Sequence, residues 1–119
     1  MFHILDFTQD NLIAFQAEGK IEKSDYDKLK PLLEKTEKDY DTRKLYVEIK
    51  NIEGIGLPAL WEDFKVYFKH IRNFDKIAIV GPGNIEEKLS KLSKPFVSGE
   101  LKFFDTSQSV TARYWLKQE

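Results

Sequence analysis

Residues 45–74, LYVEIKNIEGIGLPALWEDFKVYFKHIRNF, decide the fold of this chain. The segment begins with alternating apolar and polar residues, a pattern that predicts a strand with one buried face and one wetter face. A loop with two glycines follows. The remainder has apolar residues at steps of three and four, which is typical of an amphipathic helix. The predicted buried face of the strand is Leu45, Val47 and Ile49, and the wetter face is Tyr46, Glu48 and Lys50.

The flanking segments continue this alternation of strands and helices. Residues 2–7 and 12–18 are apolar and are separated by a polar turn, which predicts an antiparallel hairpin. Ser24 is predicted to cap the first helix, and Pro31 predicts a kink or a restart within it. Residues 76–80 form a short continuous apolar run, which predicts a strand covered on both sides.

The C-terminal third predicts a third helix, a last strand over 101–104 and a final helix through Lys117, capped by Asp105 or Ser107. The predicted order is β-β-α-β-α-β-α-β-α. This order favours an α/β fold with a mixed five-stranded sheet, antiparallel in the first hairpin and parallel thereafter, and four helices. A length of 119 residues predicts a single domain over 1–119. The third helix has the apolar stripe Ile85, Leu89, Leu92 and Phe96.

Composition excludes several classes of protein. The chain has no cysteine, so it forms neither disulfides nor a zinc-thiolate site. Its net charge is −1, from 19 basic and 20 acidic residues, which does not favour nucleic-acid binding. No apolar run approaches the roughly 18 to 20 residues needed to cross a bilayer. The N-terminal stretch MFHILDFTQD lacks a basic region and a long apolar run, so we expect no signal peptide and a cytoplasmic location.

Six short motifs, in this order and spacing, resemble the STAS superfamily and, within it, the SpoIIAA-like family of small stand-alone bacterial proteins. The resemblance implies strands in sequential order wound as a β-α superhelix, an architecture similar to that of the Sec14/CRAL-TRIO lipid carriers. Fold alone does not assign function. The motifs are GKI at 19–21, LxPL at 29–32, ALWxDFK at 59–65, FDKIAIVG at 74–81, FFD at 103–105 and AxxWL at 112–116.

One feature of the superfamily is missing. Regulatory STAS proteins carry a phosphorylatable serine or threonine at the start of the second helix, where this chain reads EGIGLP at 53–58. No serine or threonine occurs from Arg43 to Lys88. Phosphorylation needs a hydroxyl acceptor, so we expect no kinase-controlled switch at this loop.

Two glycine loops follow neighbouring predicted strands and mark the candidate ligand site. The carboxyl ends of parallel strands meet at one edge of the sheet, where ligands usually bind. We therefore predict a small, partly apolar ligand or lipid between this edge and the second and third helices; ordinary turns and a buried aromatic stripe are the alternative interpretation. The predicted ligand-binding residues are Gly54, Gly56, Leu57, Leu60, Trp61, Phe64, Gly81 and Gly83.

The third helix is basic and amphipathic, and such a helix can lie on an anionic membrane. Lys88, Lys91 and Lys94 are the predicted membrane-contact residues for peripheral association. The alternative is an ordinary solvated face, because Glu86 and Glu87 offset much of the positive charge.

The predicted function is therefore a non-enzymatic binding or regulatory domain. The alternative is a protein-interaction module whose 54–61 face docks a protein partner or a second copy in a homodimer, without phosphorylation. A small enzyme ranks last. His3 and His70 are the only histidines, and the sequence has no catalytic triad, metal motif or cofactor fingerprint, so we expect no metal and no cofactor.

Overall fold

The structure is a computed structural model that describes residues 1–68, 74–83 and 99–118. Within these ranges, five strands form one sheet and three α-helices flank it. The strands are β1 (Phe2–Ile4), β2 (Leu12–Gly19), β3 (Arg43–Ile52), β4 (Phe74–Gly81) and β5 (Glu100–Asp105). The helices are α1 (Lys23–Asp39), α2 (Leu57–Phe68) and α3 (Ser109–Lys117).

The strands lie in the order β1-β2-β3-β4-β5, so each lies beside its neighbour in the chain. β1 is antiparallel to β2, and all later pairs are parallel. The predicted mixed five-stranded sheet with an antiparallel first hairpin is confirmed. Four helices were expected and three are described, because the predicted third helix falls on residues 84–98, outside the described residues.

Both faces of the sheet are covered by apolar side chains. α1 and α2 pack on the first face, where Ile77 and Ile79 of β4 contribute to the larger hydrophobic core. α3 packs on the second face, where Ala78 and Val80 lie beneath it in a smaller core. The prediction that residues 76–80 are covered on both sides is confirmed, and it explains why that segment is continuously apolar.

The start of α1 differs from the prediction of a Ser24 cap. The N-cap is Glu22, and the carboxylate of Asp25 accepts a hydrogen bond from the Glu22 backbone N–H at 2.7 Å. The same carboxylate accepts one from the Phe2 N–H at 3.1 Å. Asp25 therefore joins the first turn of α1 to β1, a contact between distant parts of the chain that local cap preferences do not reveal.

α1 runs without a break from Lys23 to Asp39, so the predicted restart at Pro31 does not occur. Pro31 is on the exposed side of the helix, whereas Leu29 and Leu33 are buried against the sheet. Tertiary packing of these leucines offsets the hydrogen bond that proline deletes. At the other end of the chain, Asp105 caps a short 3-10 turn that leads into α3, since its side chain accepts from the Thr106 N–H. The N-cap of α3 itself is Gln108, and not the predicted Asp105 or Ser107.

Candidate functional site

The two glycine loops predicted to share one edge of the sheet do so. β3 and β4 are parallel neighbours, with Val47 opposite Ile79 and Glu48 opposite Val80. Both strands therefore end at the same edge, and residues 52–57 and 81–83 follow them there. We call these two segments the rim. The rim is the carboxyl edge at which open α/β sheets usually bind ligands.

A β-bulge shapes the approach of β3 to the rim. Lys50 pairs with Glu18 and Ile52 with Gly19, so Asn51 between them has no partner in the register. Asn51 has a φ of 47°, in the left-handed region, which asparagine tolerates better than most residues. The Glu53 N–H then donates to the Gly19 carbonyl oxygen at 3.0 Å. Bulges of this kind redirect a strand and are over-represented beside active sites.

The rim glycines have different structural roles. Gly54 has a φ of 78°, which a side chain would strain, and its turn carries β3 away from the sheet. Gly56 accepts the first hydrogen bond of α2, from the Leu60 N–H at 3.0 Å, and has no side chain with which to cap the helix. Gly81 is the buried last residue of β4, and a Cβ at Gly83 would meet open space. Pro58 has no N–H, so the first-turn amides of α2 that have no partner within the helix are those of Leu57 and Ala59.

Three of the predicted ligand-binding side chains lie in the hydrophobic core. Leu60, Trp61 and Phe64 are at most 1% exposed and pack against the first face of the sheet. The Trp61 ring centroid lies 6.2 Å from that of Phe64 and 6.1 Å from that of Phe103. These side chains contribute to the core, which was the alternative interpretation of the aromatic stripe; a role in ligand contact stays a prediction.

Four other predicted residues fall outside what is described. Leu57 is the first residue of α2, and its side chain lies outside the described part of the chain. Lys88, Lys91 and Lys94 also lie outside the described residues. The membrane-contact hypothesis therefore stays a prediction.

A polar network on the second face was not anticipated. One carboxylate oxygen of Glu48 accepts from the Tyr46 hydroxyl at 2.9 Å, and the other accepts from the Gln16 side-chain amide. Tyr46 is only 1% exposed, so its predicted place on a wetter face is wrong. The Phe7 ring, edge-on at 5.0 Å between centroids, covers Tyr46, and the smaller core with α3 surrounds it.

The surroundings of Tyr46 keep its hydroxyl protonated. Burial raises the pKa of Tyr46, and the hydrogen bond and negative charge of Glu48 raise it further. The positive charge of Arg113 and a hydrogen bond with Ser109 oppose this change in the pKa without reversing it. A phenol with a raised pKa is a poor base or nucleophile near neutral pH. Tyr46 instead packs with Ala112, Trp115 and Leu116 of α3 in the smaller core.

Toward the β1 edge, the second face becomes solvated. Glu18 lies between a histidine and a lysine, with His3 Nε2 at 3.6 Å and Lys50 Nζ at 3.8 Å from its oxygens. All three side chains are partly exposed, so their pairing contributes little free energy. Across residues 1–68, 74–83 and 99–118, no group of three or more histidines, aspartates or glutamates could hold a metal ion.

In the described parts of the chain, no helix combines the length and apolar character that a membrane span requires.

The fold and motifs can be compared with known proteins. A family model described as SpoIIAA-like matches residues 12–117. A solved structure from Shewanella loihica PV-4, an uncharacterized DUF3478-family protein with a SpoIIAA-like fold, is 33% identical over 97% of this chain and 93% of that one, with a TM-score of 0.70. A search of curated proteins finds no match.

Proposed function

This chain belongs to the SpoIIAA-like family, and we propose that it is a non-enzymatic binding domain that holds a small, partly apolar ligand at the rim. The observation that carries the proposal is the parallel pairing of β3 with β4, in which Glu48 lies opposite Val80. This pairing brings the ends of two strands and the amino end of α2 to one edge. Ligands of open α/β folds bind at such edges.

Backbone strain near the rim supports the same assignment. Gly19, Asn51 and Gly54 all have positive φ and lie at the carboxyl ends of β2 and β3. A non-glycine residue in the left-handed region costs free energy, and such residues cluster at sites where the local shape serves binding. The bulge at Asn51 is therefore better explained by the shape of the rim than by sheet stability.

The groups at the rim suit an amphipathic ligand. Ile52 and Ile55 are half-buried beside the glycine turn and offer aliphatic contact. The amides of Leu57 and Ala59 at the start of α2 favour an anionic group. A fatty acid has both features, because its carboxylate can meet the amides while its chain covers the isoleucines. Backbone amides and aliphatic side chains bind rather than transfer chemical groups, which is why the proposal is for a non-enzymatic domain.

Native mass spectrometry of an untreated preparation tests this proposal, followed by titration with dodecanoate. We expect a copurified mass or uptake of one dodecanoate. Ile55→Asp places a charge at the rim and should weaken uptake about tenfold, the equivalent of losing much of one buried aliphatic side chain. Val110→Asp is the matched control, because Val110 is 60% exposed on α3, on the second face.

An empty protein that takes up no dodecanoate at any concentration would contradict the proposal. Equal weakening by both aspartate variants would also contradict it, since the ligand would then not distinguish the rim from α3.

A protein partner on the outer side of α2 is the second candidate function. Val66 is 62% exposed there, and Glu62 and Asp63 are exposed beside it. Leu60 and Trp61 are buried, so a partner docking on the 54–61 face would contact mainly backbone and the exposed Gly54, Gly56, Pro58 and Ala59. The same mass spectra distinguish the two functions, because a partner or a second copy adds a protein mass instead of a small-molecule mass.

A further inference from the structure

A cavity of about 260 Å³ lies at the end of the sheet opposite the rim. It is lined by residues of the turn between β1 and β2, the first residues of β2 and the C-terminal half of α1 with the Tyr40 that follows it, and it is partly open to solvent. β2 runs from the cavity at Leu12 to the rim at Gly19, which separates the two places by about 23 Å at the usual rise of a strand. The cavity is therefore a separate place on the molecule.

The lining of the cavity is partly apolar and partly charged. Leu12, Ile13 and Leu32 are its aliphatic residues. Asp10 comes from the β1–β2 turn, and Lys35 comes from α1. Tyr40, which is 38% exposed, adds an aromatic ring to the lining. Within the described chain, neither Asp10 nor Lys35 forms an ion pair or a side-chain hydrogen bond.

Hydrogen bonds order both the β1–β2 turn and this part of α1. In the turn, the Gln9 N–H donates to the Leu12 carbonyl at 3.1 Å, and the Leu12 N–H donates to the Gln9 carbonyl at 2.9 Å. This pair holds Asp10 at a φ of 54°, a left-handed conformation that a bulky residue would not adopt. In α1, the buried Thr36 hydroxyl donates to the Leu32 carbonyl at 2.7 Å. The charged side chains thus project from supports that are already ordered.

From this arrangement we infer that the cavity binds a small zwitterion with an apolar body, its ammonium group on Asp10 and its carboxylate on Lys35. Asp10 from the turn and Lys35 from α1 give the lining one anion and one cation, which are complementary to a ligand with both charges. The apolar lining residues take an aliphatic or aromatic body. The volume lies just below the range of about 300 to 1,000 Å³ typical of drug-sized ligands, which favours a molecule the size of a free amino acid.

NMR titration of the full chain with three related probes tests this assignment. Leucine has both charges, leucinamide lacks the carboxylate, and 4-methylpentanoate lacks the ammonium. We expect leucine to shift the backbone amide signals of residues 8–13 and 32–40. Leucinamide and 4-methylpentanoate should each bind about tenfold more weakly, because each loses one charged contact.

Two charge-removing variants assign each end of the ligand. Asp10→Asn should weaken leucine and leucinamide about tenfold and leave 4-methylpentanoate unchanged; asparagine also tolerates the left-handed backbone, so the turn is preserved. Lys35→Gln should show the converse pattern. Asp41→Asn and Lys38→Gln are matched controls, since both residues are exposed and lie outside the cavity lining.

Three results would overturn the inference. The first is no shift of the cavity amides at millimolar leucine, and the second is equal binding of all three probes. The third is loss of binding in the control variants to the same extent as in Asp10→Asn and Lys35→Gln. Because the rim is at the other end of β2, shifts confined to residues 52–57 and 81–83 would also count against the cavity while leaving the proposed rim function intact.

Discussion

Gly99 packs so closely on Asp75 that a Cβ on Gly99 would overlap the carbonyl oxygens of Asp75 and Phe74. Gly99 comes directly before β5, and Phe74 and Asp75 begin β4. The contact therefore helps to fix the register between β4 and β5 at the point where both strands begin. Only a residue without a side chain fits there.

Gly99→Ala is expected to destabilise the fold by about 1 to 3 kcal/mol, because the methyl group forces backbone apart at a packed junction. Urea denaturation measures the change. Gly83→Ala is the control, because a Cβ there meets no atom within 4 Å; its effect should stay within about 0.5 kcal/mol. Equal destabilisation by the two substitutions would contradict the account of Gly99.

Asp25→Asn is expected to lower stability at neutral pH by about 1 to 3 kcal/mol, because an amide cannot accept both the Glu22 and the Phe2 N–H groups as the carboxylate does. Burial on its own would raise the pKa of Asp25. The two backbone hydrogen bonds, with the positive charges of the N-terminus and Lys28, outweigh burial and hold the pKa below its usual value of 3.8.

A lowered pKa in the folded state fixes the direction of the pH dependence. The contribution of Asp25 is present above its usual pKa and is lost as pH falls through the lowered value. Acid unfolding of the wild-type chain should therefore be steeper than that of Asp25→Asn. Asp27→Asn, an exposed neighbour in the same helix, should behave like the wild type. If Asp25→Asn unfolded in acid as steeply as the wild type, Asp25 would not be the source of this pH dependence.

Tyr46→Phe should destabilise the chain by about 1 to 2 kcal/mol, because it removes the donor to a partly buried Glu48 oxygen. Burial and Glu48 raise the pKa of Tyr46, so the unfolded chain ionises first in base, and the contribution is lost as pH rises above 10. Urea unfolding between pH 8 and pH 11 should be less pH-dependent in Tyr46→Phe. Tyr114→Phe, at a 66% exposed position, should match the wild type. If Tyr46→Phe and Tyr114→Phe changed the pH dependence of unfolding equally, the argument from burial would be contradicted.

The strands were predictable from sequence because their patterns are local. Alternation in β3 reflects a buried face of Leu45, Val47 and Ile49 opposite a half-buried Glu48 and an exposed Lys50, and the continuous apolar run in β4 reflects a strand covered on both faces. Parallel pairing of these two strands follows from the helix between them, and with it the shared edge that forms the rim. The same reasoning placed Asp105 at the start of the last helical segment, since its cap lies within four residues of it.

What sequence did not predict depends on contacts between distant residues. Tyr46 is buried because Phe7 and α3 cover it. The sequence of β3 gives no local signal of either contact. Asp25 displaces Ser24 as the capping group because β1 supplies a second donor. The β-bulge in β3 has one local signal in the sequence, the asparagine at the end of the alternating run. Asn51 is a residue type that tolerates the positive φ found there.

Membrane association through Lys88, Lys91 and Lys94 is tested by co-sedimentation with vesicles that contain phosphatidylserine. Each lysine near an anionic surface contributes about 1 kcal/mol, so replacing all three by glutamine should weaken binding by roughly 100-fold or more at low salt. Phosphatidylcholine vesicles should not bind the wild-type chain.

A matched triple variant controls for the change in net charge. Lys23, Lys30 and Lys38 are exposed on α1 and form no ion pair within the described ranges. Glutamine at these three positions should leave vesicle binding nearly unchanged. Equal losses in the two triple variants would show that total charge, and not residues 88–94, governs attraction to the vesicle.

The rim is tested most directly by mapping backbone amide shifts while dodecanoate is added to the wild-type chain. The account predicts shifts that saturate together at residues 52–57 and 81–83, with residues 8–13 at the far end of β2 unaffected. Saturable shifts elsewhere with an unchanged rim, or no shifts at all, would contradict it.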